Sequence, residues 1–175
     1  MQTIPKGGNV AIDVIIGILS DTHDRADNMA AGLKALQNAG SEFYIHCGDI
    51  GTQRCIDLLA GLPCAFVFGN TDWDRAKLAR YAQSIDVPCY GSFATLEFDG
   101  KQVAVLHGDD FRLKQKLIDE QKHDYLLQGH THLKDDRRVG KMRLINPGAL
   151  HRAAAKTVAT LDVAADALWF HSVPI

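Results

Sequence analysis

From position 14 onward, short apolar runs alternate with longer amphipathic stretches. The runs are residues 14–19, 43–46, 64–68, 103–106 and 125–127. Each has strand length and is bounded by polar or glycine residues, so each reads as a buried strand. Helical spacing fills the gaps. Residues 26–39 place Met29, Leu33 and Leu36 on one face and stop at Gly40, the usual glycine signal at a helix end. Residues 52–59, with Thr52 as a candidate N-cap, 72–81 and 111–120 are the other helices. Strand–helix–strand alternation predicts parallel neighbours in an α/β arrangement.

The pattern changes after position 92. Asp99-Gly100 separates the strand-like runs 93–98 and 101–106, and Gly140-Lys141 separates 135–139 from 142–145. Such dipeptides tolerate the positive φ of tight hairpins. Residues 157–163 and 167–173 form a further antiparallel pair. The expected fold class is α/β, two packed mixed β-sheets (a β-sandwich) flanked by helices. It occupies one domain, 14–175, behind a loose arm, 1–13, that carries Pro5, Gly7 and Gly8.

Composition narrows the partners. A chain of 175 residues fits one domain and needs no disulfide or structural metal to fold, since it buries about 70% of its unfolded surface. With a formal charge of -2 and a pI near 6.4 there is no basic excess to suggest nucleic acid or a membrane surface. No apolar stretch has the length of a signal peptide or membrane span. Cys47, Cys55, Cys64 and Cys89 form no C-x-x-C pair, which points to reduced thiols and a cytoplasmic location.

The chemistry stands at the ends of the runs. Ser20-Asp21-Thr22-His23, Gly48-Asp49, Gly69-Asn70-Thr71-Asp72, His107-Gly108-Asp109, Gly129-His130-Thr131-His132 and Asn146-Pro147-Gly148 each follow an apolar run. In open α/β sheets the carboxyl ends of the strands share one rim, where ligands bind. Each piece alone is weak, because Gly-Asp and Gly-Asn are ordinary turn signals. The first five, which carry ligand-type side chains in one structural position, are not easily coincidental. Together they offer Asp21, His23, Asp49, Asn70, His107, His130 and His132. Seven donors exceed one ion and suit two sharing a carboxylate, roughly 3.5–4 Å apart. A nitrogen–oxygen set without Cys favours Mn, Fe, Zn, Ni or Co over Mg or Ca.

In order and spacing these motifs resemble the calcineurin-like metallophosphoesterases, and within them the small YfcE-like phosphodiesterase branch. The resemblance runs from about Val14 to the C-terminus. It implies the metallophosphoesterase fold, with Asp21, His23 and His132 on one metal, Asn70, His107 and His130 on the second, and Asp49 bridging. It implies a hydrolase that cleaves small phosphodiesters by attack of a dimetal-bound hydroxide, with manganese the first choice of metal. The catalytic residues are then Asp49 and Asn70, and the substrate-binding residues Asn70, Thr71 and Arg152. Many members place a His directly after the metal-binding Asn. Here Thr71 stands there, which leaves the general acid unassigned and counts against protein phosphatase activity. Two other readings are a phosphomonoesterase and a non-catalytic scaffold like the retromer subunit of the same superfamily.

The remaining polar residues are expected in plainer roles. His46 packs or supports the site, His123 and His171 lie at the surface, and Asp109 and Asp110 start a helix. Trp73 lines the mouth of the site or serves a core or interface. Trp169 and Phe170 belong to the core or to a homodimer contact.

Overall fold

The computed structural model describes residues 14–174, so the expected arm at 1–13 lies outside the described residues. In chain order the elements are β1 (Ile15–Leu19), α1 (Ala26–Asn38), β2 (Phe43–His46), α2 (Gln53–Asp57), β3 (Cys64–Phe66), α3 (Arg75–Ser84), β4 (Phe93–Phe98), β5 (Lys101–Leu106), α4 (Phe111–Glu120), β6 (Tyr125–Leu127), β7 (Asp135–Val139), β8 (Met142–Asn146), β9 (Thr157–Asp162) and β10 (Ala167–Ser172).

They form two five-stranded sheets, ordered β10-β9-β1-β2-β3 and β4-β5-β6-β8-β7. In the first, β1, β2 and β3 run parallel, and β9 and β10 add antiparallel pairs. In the second, β5, β6 and β8 run parallel between antiparallel β4 and β7. Both sheets are mixed, as the sequence predicts.

Strand periodicity sorts the side chains into layers. Ile16, Ile18, Ile45 and Ala65 of the first sheet pack with Val103, Val105, Leu127 and Ile145 of the second. The alternate positions face outward under helices. Leu19, Tyr44 and Phe66 meet Met29, Leu33 and Leu36 of α1 and Leu78 of α3, while Ala104, Leu126 and Leu144 meet Leu117 of α4. The order through the molecule is helices, sheet, sheet, helix.

Several local expectations are corrected. β3 ends at Phe66 rather than 68, because the Phe68 N–H leaves the ladder and donates to the Gly91 carbonyl at 2.6 Å. Helix α3 starts at Arg75 rather than 72. Asp74 caps it by accepting from the Lys77 N–H at 3.1 Å, and the Asp72 carboxylate is used elsewhere. Thr52 gives no side-chain cap to α2; its hydroxyl donates to Asp24. Asp110 caps α4 through the Leu113 N–H, in keeping with the expected helix start. His123 is buried, not at the surface, with its ring near the Thr95 hydroxyl and against Phe93. His171 is half-buried and bonded to Thr160. Trp169 is half-exposed and Phe170 packs on the inter-sheet core.

Candidate metal centre

The parallel strands of the two sheets end on one rim, and every expected donor follows such an end. The β1 turn carries Asp21 and His23, the β2 turn Asp49, the stretch after β3 Asn70. The β5 end carries His107 and the β6 end His130 and His132. Backbone bonds stitch these turns together. Asp21 N–H donates to the Gly48 carbonyl at 3.1 Å, His23 N–H to the Asp49 carbonyl at 2.9 Å, and Gly129 N–H to the His107 carbonyl at 2.9 Å.

The side chains converge. Asp49 Oδ2 lies 3.3 Å from His107 Nε2 and 3.6 Å from His23 Nε2. Asp21 Oδ1 lies 3.1 Å from His132 Nε2 and 3.9 Å from the Nε2 atoms of both His23 and His107. His130 Nδ1 is 3.1 Å from Asn70 Oδ1, and the His130 and His107 rings stand edge to face at 5.1 Å. All seven expected donors therefore belong to one cluster. Its floor, Asp21, Asp49 and His107, is buried, whereas Asn70 and His130 at its rim are exposed.

Whether these residues suit a cation is decided at the floor. Asp21 Oδ1 and His107 Nε2 are buried without a hydrogen-bond partner, an arrangement that is costly unless something else satisfies them. Among the described residues, Asp21, His23 and His132 form one group of mutually close ligand atoms, and Asp21, Asp49 and His107 form another. Carboxylate and imidazole donors of this kind fit borderline divalent cations. Both carboxylates stand between the groups, Asp21 as a member of each and Asp49 through its contacts to His23 and His107.

The electrostatics of His23 and Asp49 agree with that use, while Asp21 and His107 hold a proton more readily. Burial, reinforced by His132 and Arg152, outweighs the Asp49 charge and lowers His23 to about 4. Its ring is thus neutral at neutral pH, with a lone pair to give. Burial opposes the charge on Asp49, but His107 and the Thr71 N–H, donating at 2.8 Å, hold its carboxyl well below the usual range. Burial likewise opposes the charged form of His107, yet Asp49 and Asp21 raise it. Burial is the main cause that raises Asp21.

Supporting residues surround the cluster, and the roles of Asp72 and Arg75 were not legible beforehand. Asp72 is buried and accepts from Gly69 N–H and Gly51 N–H, each at 2.8 Å, and from Ile50 N–H at 3.4 Å. It ties the loop of Asp49 to the loop of Asn70. A Gly-Asn-x-Asp turn hints at the Gly69 bond only. Thr22 bonds His46 Nε2 at 2.8 Å, and Gly48 N–H donates to His46 Nδ1 at 3.2 Å, so His46 supports the site as expected. Arg75 holds the Gly69 carbonyl at 2.8 Å. Asn146 donates to the Gly129 carbonyl at 2.8 Å and to Thr131 at 3.0 Å, fixing the turn of His130 and His132. The Thr71 hydroxyl is 3.3 Å from His23 Nδ1. Arg152 is exposed beside the cluster, its carbonyl 3.4 Å from His132 Nδ1.

Residues 14–166 match the family described as the calcineurin-like phosphoesterase superfamily domain. The chain belongs to this superfamily. Membership makes it a hydrolase of phosphate esters in a metal-dependent family. It is 29% identical to a phosphodiesterase of Methanocaldococcus jannaschii over 76% of this chain and 82% of that one. A probable metallophosphoesterase of the same organism is 31% identical over 86% of this chain and 76% of its own. Among solved structures, an archaeal phosphodiesterase superposes with a TM-score of 0.83 at 26% identity, covering 91% of this chain and 99% of that one. The Vps29 of Entamoeba histolytica, solved with zinc, shares the fold at a TM-score of 0.65 and 16% identity, covering 91% of this chain and 92% of its own. No described helix is long and apolar enough to cross a membrane.

Proposed function

We propose that the protein hydrolyses small phosphodiesters at a pair of divalent cations, manganese first among them. Asp21, His23 and His132 hold one cation, Asn70, His107 and His130 the other, and Asp49 lies between. One observation carries this reading. A single oxygen of Asp49 touches an imidazole of each set, at 3.6 Å for His23 and 3.3 Å for His107. When bound, two cations offset the charge on the phosphate oxygens and acidify water, zinc lowering its pKa from 15.7 to about 7.

The chain's own residues hold and orient. The Thr71 N–H fixes Asp49, and Thr71 also stands at the rim as a candidate substrate contact. Asn70 presents an exposed amide to an ester oxygen, and the exposed Arg152 offers a fork that suits phosphate. No imidazole follows Asn70 to protonate a leaving alkoxide. Asp72, the nearest carboxylate in sequence, already accepts three backbone N–H groups. Esters with good leaving groups should therefore react best. Four free cysteines support a cytoplasmic setting.

The test compares bis-p-nitrophenyl phosphate with p-nitrophenyl phosphate in Mn, Co, Ni and Zn. The diester is expected to turn over faster, and an equal or faster monoester contradicts the diester assignment. The Vps29 likeness supplies the second reading, a scaffold. Metal retention does not separate the two, because that Vps29 was solved with zinc. Absence of turnover with every metal favours the scaffold. Asp49→Asn is expected to lose metal and at least about 100-fold in kcat/KM, in line with loss of a positioned charge. Full metal content with normal turnover in that variant contradicts the bridging role.

A further inference from the structure

We propose that a groove beside the cluster seats a nucleobase, so that the substrates are phosphodiesters of nucleosides. This rests on the phosphodiesterase reading and adds the identity of one ester arm. The groove has a volume of 510 Å³ and is lined by Asp24, Gly51, Arg54, Trp73, Asp74 and Lys77 among others. Its walls come from the turns that carry the expected metal ligands. Asp24 adjoins His23, Gly51 stands two residues after Asp49, and Trp73 stands three after Asn70. Three residues of chain span at most about 10 Å, so the backbone of Trp73 lies within that distance of the backbone of Asn70. A nucleoside 5′-ester carries its base one ribose away from phosphorus, a separation of the order that divides the walls of this groove from the neighbouring ligands.

The lining suits a base better than it suits another protein. Trp73 is 89% exposed and offers an unoccupied aromatic face, on which bases of any sequence stack. Arg54 and Lys77 are exposed cations of the kind that reinforce stacking. Asp24 and Asp74 repel phosphate from the groove, which leaves it to the cation centre, and their carboxylates can accept from the exocyclic amine of a base. None of the other exposed large apolar residues, Tyr90, Phe111, Leu133, Val139 and Trp169, lines this groove. One indole among charges is not the contiguous apolar patch that self-association uses.

The test is calorimetric titration of the manganese-loaded protein with adenosine 5′-monophosphate and with ribose 5-phosphate, which differ only in the base. Hydrolysis of bis-p-nitrophenyl phosphate is measured alongside. Stacking of one base corresponds to roughly tenfold in affinity. The nucleotide is expected to bind about tenfold tighter than the sugar phosphate, and Trp73→Ala to bring that ratio near one. A merely structural tryptophan would weaken both ligands and leave the ratio in place. Equal binding by the unaltered protein, or an unchanged ratio in Trp73→Ala, overturns the nucleobase site while hydrolysis of the bis-ester leaves the phosphodiesterase reading standing. Failure to hydrolyse the bis-ester with any metal overturns that reading and the nucleobase site with it.

Discussion

Gly69 sits where any side chain would collide with the Asp49 carboxylate. A β-carbon there would land on Asp49 Oδ1, and at Gly129 one would land on Ser20 Oγ and press on Asp21 Oδ2. The donors are also held in costly backbone. Asp21, His23, Asp49, His130 and His132 have φ of +55°, +46°, +55°, +70° and +60°, a region worth roughly 1–3 kcal/mol of strain for each such residue. Strain of this kind is kept where the surroundings over-determine a geometry. Gly69→Ala is therefore expected to fold but to lose about 100-fold in kcat/KM, the order of effect of a 1 Å displacement, together with part of its metal. Assay and metal analysis on purified variant check this, and unaltered turnover contradicts the close approach. At this scale the sequence was informative about donors and less so about supports. Asp21, Asp49 and the histidines are visible because each follows an apolar run. Asp72 is not, because two of its three bonds reach Ile50 and Gly51, a pairing that exists only after folding.

Among the elements, the link between sheets at the end away from the parallel turns is polar. Arg143 on β8 gives two hydrogen bonds to Asp136 of β7 at 2.8 Å and one to Asp166 Oδ1 at 2.7 Å. Asp166 lies at the turn before β10, and Tyr125 and Arg138 also bind it. The clasp thus joins the second sheet to the first. The Arg143 hydrogen bonds are the first cause that holds Asp136 below the usual carboxylate range. Burial opposes the charge on Asp166, but Arg143 and Tyr125 lower it too. A carboxylate lowered in the folded state adds stability that is present above its unfolded pKa of about 3.9 and is lost as pH falls through the folded value. Arg143→Met is expected to cost about 1 kcal/mol at pH 7, discounted for the exposure of both acids, and the deficit should shrink below about pH 4. Urea titrations at the two pH values check this, and a deficit that is constant with pH would assign the loss to packing instead. The hairpin that frames this clasp was legible, since Gly140 adopts a φ of +60° as its identity suggests. The start of α3 was not, because two aspartates, Asp72 and Asp74, competed for the cap and only tertiary contacts chose between them.

For the molecule as a whole, the layers explain why distant motifs meet. Two sheets packed through one apolar interface bring the ends of β1, β2 and β3 against those of β5 and β6, so residues 21 to 132 share a rim. That convergence followed from the order of strands and glycines, and the sequence made it visible. The groove beside Trp73 did not follow, since its walls depend on how the turns stack. The central claim is that seven side chains on this rim hold two cations that are needed for hydrolysis. Its most direct test is to strip the protein with a chelator, add manganese back in measured equivalents, and follow bis-p-nitrophenyl phosphate turnover. The rate should vanish without metal, rise with each addition and level off at two equivalents per chain. A plateau at one equivalent, or turnover untouched by the chelator, would contradict it.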